Sequence, residues 1–300
     1  MTKLAPIALF VYNRPWHTQQ TIEALQKNDL ASMSDLIIFS DSQKDQESLE
    51  MVKEVRKYLK TISGFNSVRI IERGKNWGLA KSITEGVSEI VNLYGKIIVL
   101  EDDIVTSSKF LRFMNQALDF YKDKREVWHI SGWNYPIDSS HLSDTFLWRA
   151  MNCWGWATWD DRWEFFDKDP QLLVDQWTDK QKLTFDLDDL GIFWNQIELN
   201  LCGKINTWAI FWYATIFKND GLCLNPSISY VENIGHDDSG VHCGSSNKFS
   251  TIGLNEKLTV SFPKQSIESS IAVSLIKKFY RAQKKSVLAR ILDKIQRAFF

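Results

Sequence analysis

The first hundred residues alternate between short apolar runs and longer segments that carry apolar residues on one face only. The short runs predict buried strands, and the longer segments have the spacing of amphipathic helices. Strands separated by helices of this length are typical of βαβ units and of a mostly parallel sheet. The predicted strands span 7–12, 36–40, 68–72 and 96–100, and the predicted helices span 18–27, 46–60 and 82–92.

Polar residues follow each of the four predicted strands. They are Asn13 and Arg14, Asp41 and Ser42, Glu72 and Arg73, and the acidic triplet Glu101, Asp102 and Asp103. In open α/β sheets, ligands bind in the crevice outside the carboxyl ends of the strands. Because all four strand ends are polar, the sequence predicts one ligand site at this edge of the sheet.

The pattern changes after the acidic triplet. Helices are predicted over 110–121 and 208–218, with a tryptophan-dense stretch between them. Of the 13 tryptophans in the chain, 11 fall between Trp128 and Trp212. Tryptophan is most often a core residue, but its ring also packs against the apolar faces of sugars, so both interpretations stay open for this stretch.

The last part of the chain has a different character. Residues 246–270 are polar and rich in serine, which predicts an irregular linker. Residues 271–300 have the periodicity of an amphipathic helix. We therefore expect one elaborated domain over 1–245, with a first half at 1–105 and a second at 106–245, followed by the linker and the helix.

Composition is ordinary for a globular protein, with 44% hydrophobic and 24% charged residues among 300. No stretch approaches the roughly 20 apolar residues of a membrane span. The apolar start runs directly into polar residues without a cleavage site, so no signal peptide is expected. The four cysteines are scattered and form no CxxC pair, which favours a reduced, cytoplasmic setting and argues against a zinc site.

Charge is unevenly distributed along the chain. Residues 271–300 carry eight Lys or Arg and one Asp, a local net charge of +7, so the overall charge of −1 leaves −8 on the first 270 residues. A basic helix with an apolar face is typical of a segment that lies in the headgroup layer of an anionic membrane. We expect peripheral attachment to the inner face of the cell membrane; an ordinary helix packed on the domain is the alternative. The acidic body argues against nucleic acid as a partner. The predicted apolar face consists of Val287, Leu288, Ile291, Leu292, Ile295 and Phe299.

The acidic triplet is the most informative chemical feature. Three consecutive carboxylates after a buried strand repel one another unless a positive charge lies beside them. A divalent cation such as Mn²⁺ or Mg²⁺ that bridges a diphosphate is the natural partner, because hard cations take oxygen ligands. A solvated acidic turn is the alternative on the triplet alone.

Four segments in this order resemble the nucleotide-sugar-binding half of GT-A glycosyltransferases: FVYNRPWHTQQTIEAL, IIFSDS, NWGLAKSITEG and IVLEDD. More narrowly, the chain looks like the Golgi N-acetylglucosaminyltransferases and their bacterial relatives from polysaccharide loci, over about residues 5–245. The resemblance implies an α/β fold with a Rossmann-like, mostly parallel sheet and a smaller acceptor-side region. It also implies metal-dependent transfer of a sugar, with uridine diphosphate as the usual donor carrier, onto a glycan hydroxyl.

The resemblance also implies roles for individual residues. Asp103 would be the direct metal ligand, and Glu101 and Asp102 would lie near the donor ribose and sugar. Arg14 would reach the nucleotide and its diphosphate, and Asp41 would hydrogen-bond the base. Three further residues would lie on the loop and helix beside the donor: Asn76, Gly78 and Lys81.

A late histidine and several tryptophans complete the implied site. His236 lies beside two aspartates and between two glycines, and in related enzymes such a histidine closes over the metal and diphosphate; His242 is a weaker candidate. Trp154, Trp156 and Trp208 would line the donor sugar and the acceptor. Core positions are expected for three others: Trp159, Trp163 and Trp212.

A general base is missing where the resemblance implies one. An inverting transfer needs an acid, usually Asp or Glu, to deprotonate the attacking hydroxyl. Related enzymes place an aspartate soon after the tryptophan that matches Trp208, but Ala209 and Ile210 stand there. The candidates for a substitute are Glu198 and Asp161, followed by Asp237 and Asp238.

Two other functions stay open on the sequence. A nucleotidyltransferase would make the nucleotide sugar, but such enzymes typically begin with a glycine-rich phosphate loop, and residues 5–20 contain no glycine. A carbohydrate-binding protein without activity could have retained the same fold, and Ala209 is compatible with it.

Overall fold

The computed structural model describes residues 3–188, 190–237, 247–250 and 253–283. Within these residues the chain forms a mixed α/β fold with one eight-stranded sheet and one two-stranded sheet. The strands are β1 (Ile7–Val11), β2 (Asp35–Ser40), β3 (Ser67–Glu72), β4 (Lys96–Glu101), β5 (Ile104–Thr106), β6 (Val127–Ser131), β7 (Thr145–Trp148), β8 (Trp156–Trp159), β9 (Leu222–Pro226) and β10 (Val231–Asn233). The helices are α1 (Pro15–Gln26), α2 (Leu49–Leu59), α3 (Leu79–Tyr94), α4 (Phe110–Tyr121), α5 (Asp160–Trp163), α6 (Pro170–Gln176), α7 (Asp179–Phe185), α8 (Trp194–Leu201) and α9 (Ala209–Lys218).

The large sheet has the strand order β3-β2-β1-β4-β8-β6-β9-β7. The first four strands are parallel, as predicted from their alternation with helices. Strand β8 runs antiparallel to both β4 and β6. Strand order reverses at β1, whose neighbours are β2 and β4, so the crevice at their carboxyl ends is the expected ligand position in a sheet of this type.

Strand β8 connects the two halves of the sheet. Trp156, at its start, pairs with Val99 near the carboxyl end of β4, and Trp159, at its end, pairs with Lys96. Residues just before β8 therefore lie at the same edge of the sheet as the acidic triplet. Residues just after it lie at the opposite edge.

The small sheet pairs β5 with β10 in antiparallel register. Strand β5 begins directly after Asp103, and β10 ends at Asn233. The backbone N–H of Ile234 continues this pairing by donating to the Asp103 carbonyl at 2.9 Å. The small sheet thus delivers the segment that follows β10 to the acidic triplet.

Helix α3 packs on the first strands through a glycine. Phe10 in β1 and Phe39 in β2 stack with ring centroids 4.9 Å apart. Gly86 lies over this pair so closely that a Cβ there would come within 2.6 Å of the Phe10 ring. Helix and sheet approach at this point because the glycine has no side chain.

The C-terminal part of the described chain packs on the domain. Residues 270–283 are helical, and Ala272, Val273 and Ile276 are buried in the main core. Lys277 on this helix pairs with Asp188. The described part of the predicted basic helix therefore docks on the body, as in the alternative interpretation, while the apolar face predicted from 287 to 299 lies outside the described residues.

The predicted fold class is confirmed: an α/β fold with a large, mostly parallel sheet, flanking helices and a C-terminal helix. The predicted linker is irregular where it is described, apart from a short 3₁₀ helix at Asn247–Phe249. None of the helices in the described part of the chain combines the length and the apolar character that a membrane span requires.

We predict that Gly86→Ala lowers the free energy of unfolding by about 1–2 kcal/mol, although alanine is the better helix former. Overpacking at so short a distance costs an amount near the upper end of about 1–3 kcal/mol, and the gain in helix propensity of about 1 kcal/mol offsets part of it. Chemical denaturation measures the change. Glu85→Ala, at an exposed position one residue earlier on the same helix, is the control and should change stability by less than about 0.5 kcal/mol. A Gly86→Ala protein as stable as the wild type would contradict the close approach.

Candidate active site

The carboxyl end of β4 carries the acidic triplet. Glu101 is the last residue of the strand, and Asp102 and Asp103 follow it with relative exposures of 8% and 6%. The backbone N–H of Tyr12, at the end of β1, lies 3.4 Å from Asp102 Oδ2. The hydroxyl of Thr21 on α1 donates to the Asp102 carbonyl at 2.8 Å. The triplet is therefore fixed at the junction of β1, β4 and α1, as the strand-end pattern predicted.

Arg14 is the positive charge beside the triplet. Its Nη1 donates to Asp103 Oδ2 at 2.8 Å and lies 3.4 Å from Asp102 Oδ1. Arg14 precedes Pro15, the first residue of α1, and proline at this position starts a helix without loss of a hydrogen bond. The backbone thus holds the guanidinium at the carboxyl ends of β1 and β4.

One guanidinium does not balance three carboxylates. Burial raises the pKa of Asp102 to about 7, with the charge of Asp103 adding to the effect and Arg14 opposing it. Burial, together with Asp103 and Asp102, raises the pKa of Glu101 well above its ordinary value. Both shifts have the direction expected when carboxylates share a buried site with too little positive charge.

The segment after β10 covers the triplet. Gly235 is buried, and a Cβ there would overlap Asp103 Oδ2 and come within 2.7 Å of Arg14 Nη2. Only glycine fits between these side chains without displacing them. Its backbone N–H donates to Asn233 Oδ1 at 2.7 Å, which fixes the turn that leads to His236 and Asp237.

A histidine that the sequence analysis did not select also belongs to this cluster. His17 Nε2 lies 3.0 Å from Asp237 Oδ2, and Arg14 Nη2 lies 3.9 Å from Asp237 Oδ1. Burial, with Arg14 adding to it, lowers the pKa of His17. His17 stands three residues after Arg14 at the start of α1, a spacing that places two side chains on one face of a helix and could have indicated it.

His236 lies on the other side of the same turn. Its ring meets Trp154 edge to face at 5.4 Å and stacks with Phe249 at 6.3 Å. Both ring nitrogens are buried without a hydrogen-bond partner among the described residues. Two unsatisfied buried nitrogens are costly, so this ring suits a ligand that supplies a partner. The structure thus brings His236 next to the triplet; a metal-binding role stays a prediction. Asp238 and His242 lie outside the described residues.

Asp41 at the end of β2 holds the loop before α3. Its carboxylate accepts hydrogen bonds from the backbone N–H groups of Ser42, Trp77 and Gly78, each at 2.9 Å. Gly78 has φ +72°, a conformation that favours glycine. These contacts give Asp41 a structural function. Binding of the nucleotide base by Asp41 stays a prediction.

The remaining residues expected beside the donor lie on the same loop. Asn76 Nδ2 donates to the carbonyl of Ser42 at 2.6 Å. Lys81 is exposed, with its Nζ 4.9 Å from the centroid of the Trp77 ring. The Arg73 guanidinium lies 3.8 Å from the same ring. The loop therefore presents cationic side chains at the carboxyl ends of β2 and β3.

Two of the three selected tryptophans lie in the core. Trp156 is fully buried and Trp208 is 3% exposed, and their rings stack at 5.2 Å. Trp156 also stacks on His129, whose pKa is lowered by burial to about 3. These two tryptophans contact other aromatic rings and not a cavity surface, contrary to the expectation. The predicted core positions of Trp159, Trp163 and Trp212 are confirmed.

Trp154 lines a cavity of about 280 Å³ at the same edge of the sheet, here called the aromatic cavity. Ala209 and Ile210, which stand where the resemblance of the sequence implies an acid, also line it. Every described residue in its wall is uncharged. The wall also contains Trp133, Tyr135, Asn152, Phe249 and Tyr280.

Neither predicted base lines the aromatic cavity. Asp161 follows β8, and its neighbour Asp160 bonds through its N–H to the Gly95 carbonyl at the start of β4. Asp161 therefore lies at the edge of the sheet opposite to the triplet, where it pairs with Arg125 and Arg162. This position excludes Asp161 as a base. The sequence could not show it, because the direction of β8 decides which end of that strand faces the site.

Glu198 has a surface position instead of a site position. It is exposed on α8, and its carboxylate accepts a hydrogen bond from Trp194 Nε1 at 3.0 Å. The same helix contributes Gln196 to the wall of the aromatic cavity, but Glu198 does not line it. The structure therefore gives no support to Glu198 as the base.

The triplet offers carboxylate oxygens to a divalent cation, but a bound phosphate would have to supply further oxygen ligands. Among the described residues, no group of three or more His, Cys, Asp or Glu side chains is arranged to hold a metal by itself. Mg²⁺ and similar ions are often held by one or two carboxylates together with substrate phosphates. Asp102 and Asp103 supply such carboxylates, and their excess negative charge favours a cation.

We predict that Asp41→Asn lowers the free energy of unfolding by about 1–3 kcal/mol. The amide keeps one acceptor oxygen, and its NH₂ group faces backbone N–H groups that lose their partner. Thermal and chemical denaturation measure the loss. Asp119→Asn, the same substitution at an exposed position of α4, is the matched control and should be nearly neutral. Equal stability of the two variants would contradict the structural function of Asp41.

Comparison with known proteins gives partial similarities. No family model and no curated protein matches the chain. The mannosyltransferase PcManGT from Pyrobaculum calidifontis, solved in complex with GDP-Man and Mn²⁺, is 9% identical, with a TM-score of 0.44 over 73% of this chain and 70% of that one. An N-terminal fragment of S. aureus TarS is 11% identical, with a TM-score of 0.40 over 75% of this chain and 59% of the fragment. The same fragment in complex with UDP is matched at 15% identity, with a TM-score of 0.30 over 42% of this chain and 34% of the fragment.

Proposed function

We propose that this protein transfers a sugar from a nucleoside diphosphate sugar, with a UDP-sugar as the expected donor, to a hydroxyl of a glycan. The observation that carries the proposal is the acidic triplet, with Asp102 and Asp103 buried beside Arg14, at the carboxyl ends of β1 and β4. This is the edge where open α/β sheets bind their ligands. The GT-A resemblance of the sequence motifs agrees with it, because those motifs form this edge.

The charges of the cluster suit a diphosphate only together with a cation. When all three carboxylates are ionised, one guanidinium leaves two negative charges uncompensated, and a diphosphate would add more. A divalent cation supplies the missing charge and, when bound, stabilises the departing diphosphate as a Lewis acid. Asp103 would hold it, with Asp102 beside it and His236 as a further ligand.

The side chains of the cluster would do the remaining work. Arg14 neutralises Asp103 in the structure described here. With a cation beside Asp103, the Arg14 guanidinium would be available to bind a phosphate, for which its geometry is well suited. Gly235 lets its segment of chain pass directly against Asp103 and Arg14, because a Cβ there would overlap Asp103 Oδ2.

The alternative functions are less consistent with the structure. A nucleotidyltransferase needs a phosphate-binding loop after its first strand, but here the chain passes from Val11 to α1 in three residues, none of them glycine. A carbohydrate-binding protein without activity would not need a cluster of uncompensated buried carboxylates. Turnover of a nucleotide sugar distinguishes it from the enzyme.

The acceptor would be a lipid-linked or surface glycan, reached from the cytoplasmic face of the membrane. Support comes from the basic character of 271–300, of which Lys278 and Arg281 are described and exposed. Each basic residue near an anionic surface contributes about 1 kcal/mol to attachment. The helix over 270–283 docks on the body and leaves these two charges outward.

We predict that the protein hydrolyses one nucleotide sugar from a panel of UDP- and GDP-linked sugars slowly, only with Mn²⁺ or Mg²⁺, and that Asp103→Asn lowers this rate about a hundredfold. Hydrolysis of the donor needs no acceptor, so the acceptor need not be known. Loss of about 3 kcal/mol of stabilisation by the cation corresponds to that factor. Release of nucleoside diphosphate measures the rate.

Asp119→Asn is again the control, because it removes the same charge from an exposed part of α4. Its rate should equal that of the wild type. Cation-dependent hydrolysis that survives Asp103→Asn would show that the triplet is not the metal site. No binding of any member of the panel, measured by calorimetry with Mn²⁺ present, would contradict the proposed function.

A further inference from the structure

The aromatic cavity lies one layer of side chains away from the acidic triplet. Gly235 touches Asp103, His236 follows it, and the His236 ring contacts Trp154 in the cavity wall. Phe249 contacts both His236 and Trp154 and belongs to the same wall. A molecule in the cavity would therefore lie next to, but outside, the place of the diphosphate.

The walls of the cavity have the chemistry of a sugar site. Trp133 meets Trp154 edge to face at 4.6 Å and Tyr135 at 4.7 Å. Aromatic rings in such an array offer apolar faces to the C–H groups of a sugar. Because every described residue in the wall is uncharged, the cavity favours a neutral ligand over a phosphate, a carboxylate or an amine.

Two hydrogen-bond donors in the wall have no partner. Trp133 Nε1 and Asn152 Nδ2 are buried, in residues that are 3% and 8% exposed, and neither has an acceptor among the described residues. A buried N–H group without an acceptor destabilises the folded protein. Both nitrogen atoms lie beneath the accessible surface of the cavity wall. A ligand with several hydroxyl oxygens, such as a sugar, would provide the acceptors when a small movement of these two side chains turns their N–H groups toward it.

Asn152 is held in place independently of any ligand. The buried His129 accepts from Trp212 Nε1 at Nδ1, so its Nε2–H donates to the Asn152 carbonyl at 3.0 Å. The backbone of Asn152 is thereby fixed while its side-chain amide stays unsatisfied. This arrangement is typical of a binding residue whose position is set before the ligand arrives.

The C-terminal helix supplies one wall of the cavity. Tyr280, on the helix over 270–283, donates to or accepts from the Tyr135 hydroxyl at 2.8 Å, and its ring lies 5.3 Å from the Tyr135 ring. Phe279 contacts both Tyr135 and Phe249. The volume of about 280 Å³ lies just below the range of about 300–1,000 Å³ for pockets that hold drug-sized ligands, so it suits a single ring.

We propose that the aromatic cavity binds one neutral sugar ring of the acceptor glycan, with Asn152 and Trp133 as its hydrogen-bond donors and Tyr280 of the C-terminal helix in its wall. The assignment to the acceptor rests on the proposed function, because the donor diphosphate belongs at the triplet. The helix that continues into the basic segment then takes part directly in binding the acceptor.

The test uses methyl glycosides of common hexoses and N-acetylhexosamines as probes, with ligand-observed NMR on the full chain, with and without UDP, GDP and Mn²⁺. We expect at least one glycoside to bind the wild type and to lose its signal in Asn152→Ala and in Ala209→Phe. The first variant removes a donor that has no partner, so it should cost little stability. The second fills the cavity from the start of α9. Asn66→Ala, at an exposed loop position, is the control and should bind like the wild type.

A second measurement does not depend on the folding of a variant. Cys153 lines the cavity, whereas Cys202 is exposed at the end of α8. A bound glycoside at about ten times its Kd should slow alkylation of Cys153 about tenfold and leave Cys202 unchanged. Peptide mass spectrometry gives both rates in one sample.

Three outcomes overturn the proposal. The first is that no glycoside binds the wild type under any of these conditions. The second is that binding persists in both cavity variants. The third is that a nucleotide sugar alone displaces the glycoside competitively, which would assign the cavity to the donor. Failure of the proposed function looks different. In that case glycosides bind the cavity while no nucleoside diphosphate binds and no nucleotide sugar is hydrolysed.

Discussion

The repulsion among the three carboxylates at the end of β4 is the constraint on which the rest of the site depends. Glu101, Asp102 and Asp103 follow one another, the first half-buried and the other two buried, and burying like charges together is expensive. The chain meets this cost only in part, through Arg14. A protein that needed these residues only for folding would be more stable with neutral ones, so folding alone does not account for the three acids.

Several elements converge to hold this costly arrangement. Strand β1 positions Arg14, and the pairing of β5 with β10 brings the chain back to the Asp103 carbonyl. Gly235 allows close contact with Asp103 and Arg14 because it has no side chain. Each of these contacts joins residues that are far apart in sequence. The cluster can therefore form only after the sheet has formed, which makes the site a product of the whole fold and not of one loop.

The sequence predicted the first half of the molecule better than the second, for a physical reason. Buried parallel strands such as β1, β2 and β4 are continuous apolar runs that stand out between helices, and each was predicted to within one residue at either end. Strands such as β8 and β9 lie in a stretch rich in aromatic residues, where apolar residues have no clear period. No local sequence pattern indicates the direction of β8. Because β8 runs antiparallel to β4, Asn152 and Trp154 before it lie at the edge of the site, whereas Asp161 after it lies at the opposite edge. The cavity wall was equally hidden, because Tyr280 joins it from 126 residues beyond Trp154.

The uncharged wall of the aromatic cavity bears on how a sugar hydroxyl bound there would lose its proton. Ala209 and Ile210 stand in that wall at the positions where the GT-A resemblance of the sequence implies an acid, and no described residue of the wall carries a carboxylate. An inverting transfer would need a base from outside this wall, and Asp237, beside His236, is the described carboxylate on the adjoining turn. That carboxylate is bound to His17 and faces Arg14, so it would first have to leave both. A retaining transfer in which the departing diphosphate takes the proton would need no such base. If the protein is a transferase, the anomeric configuration of its product would therefore show whether the missing acid is a loss or a consequence of a different mechanism.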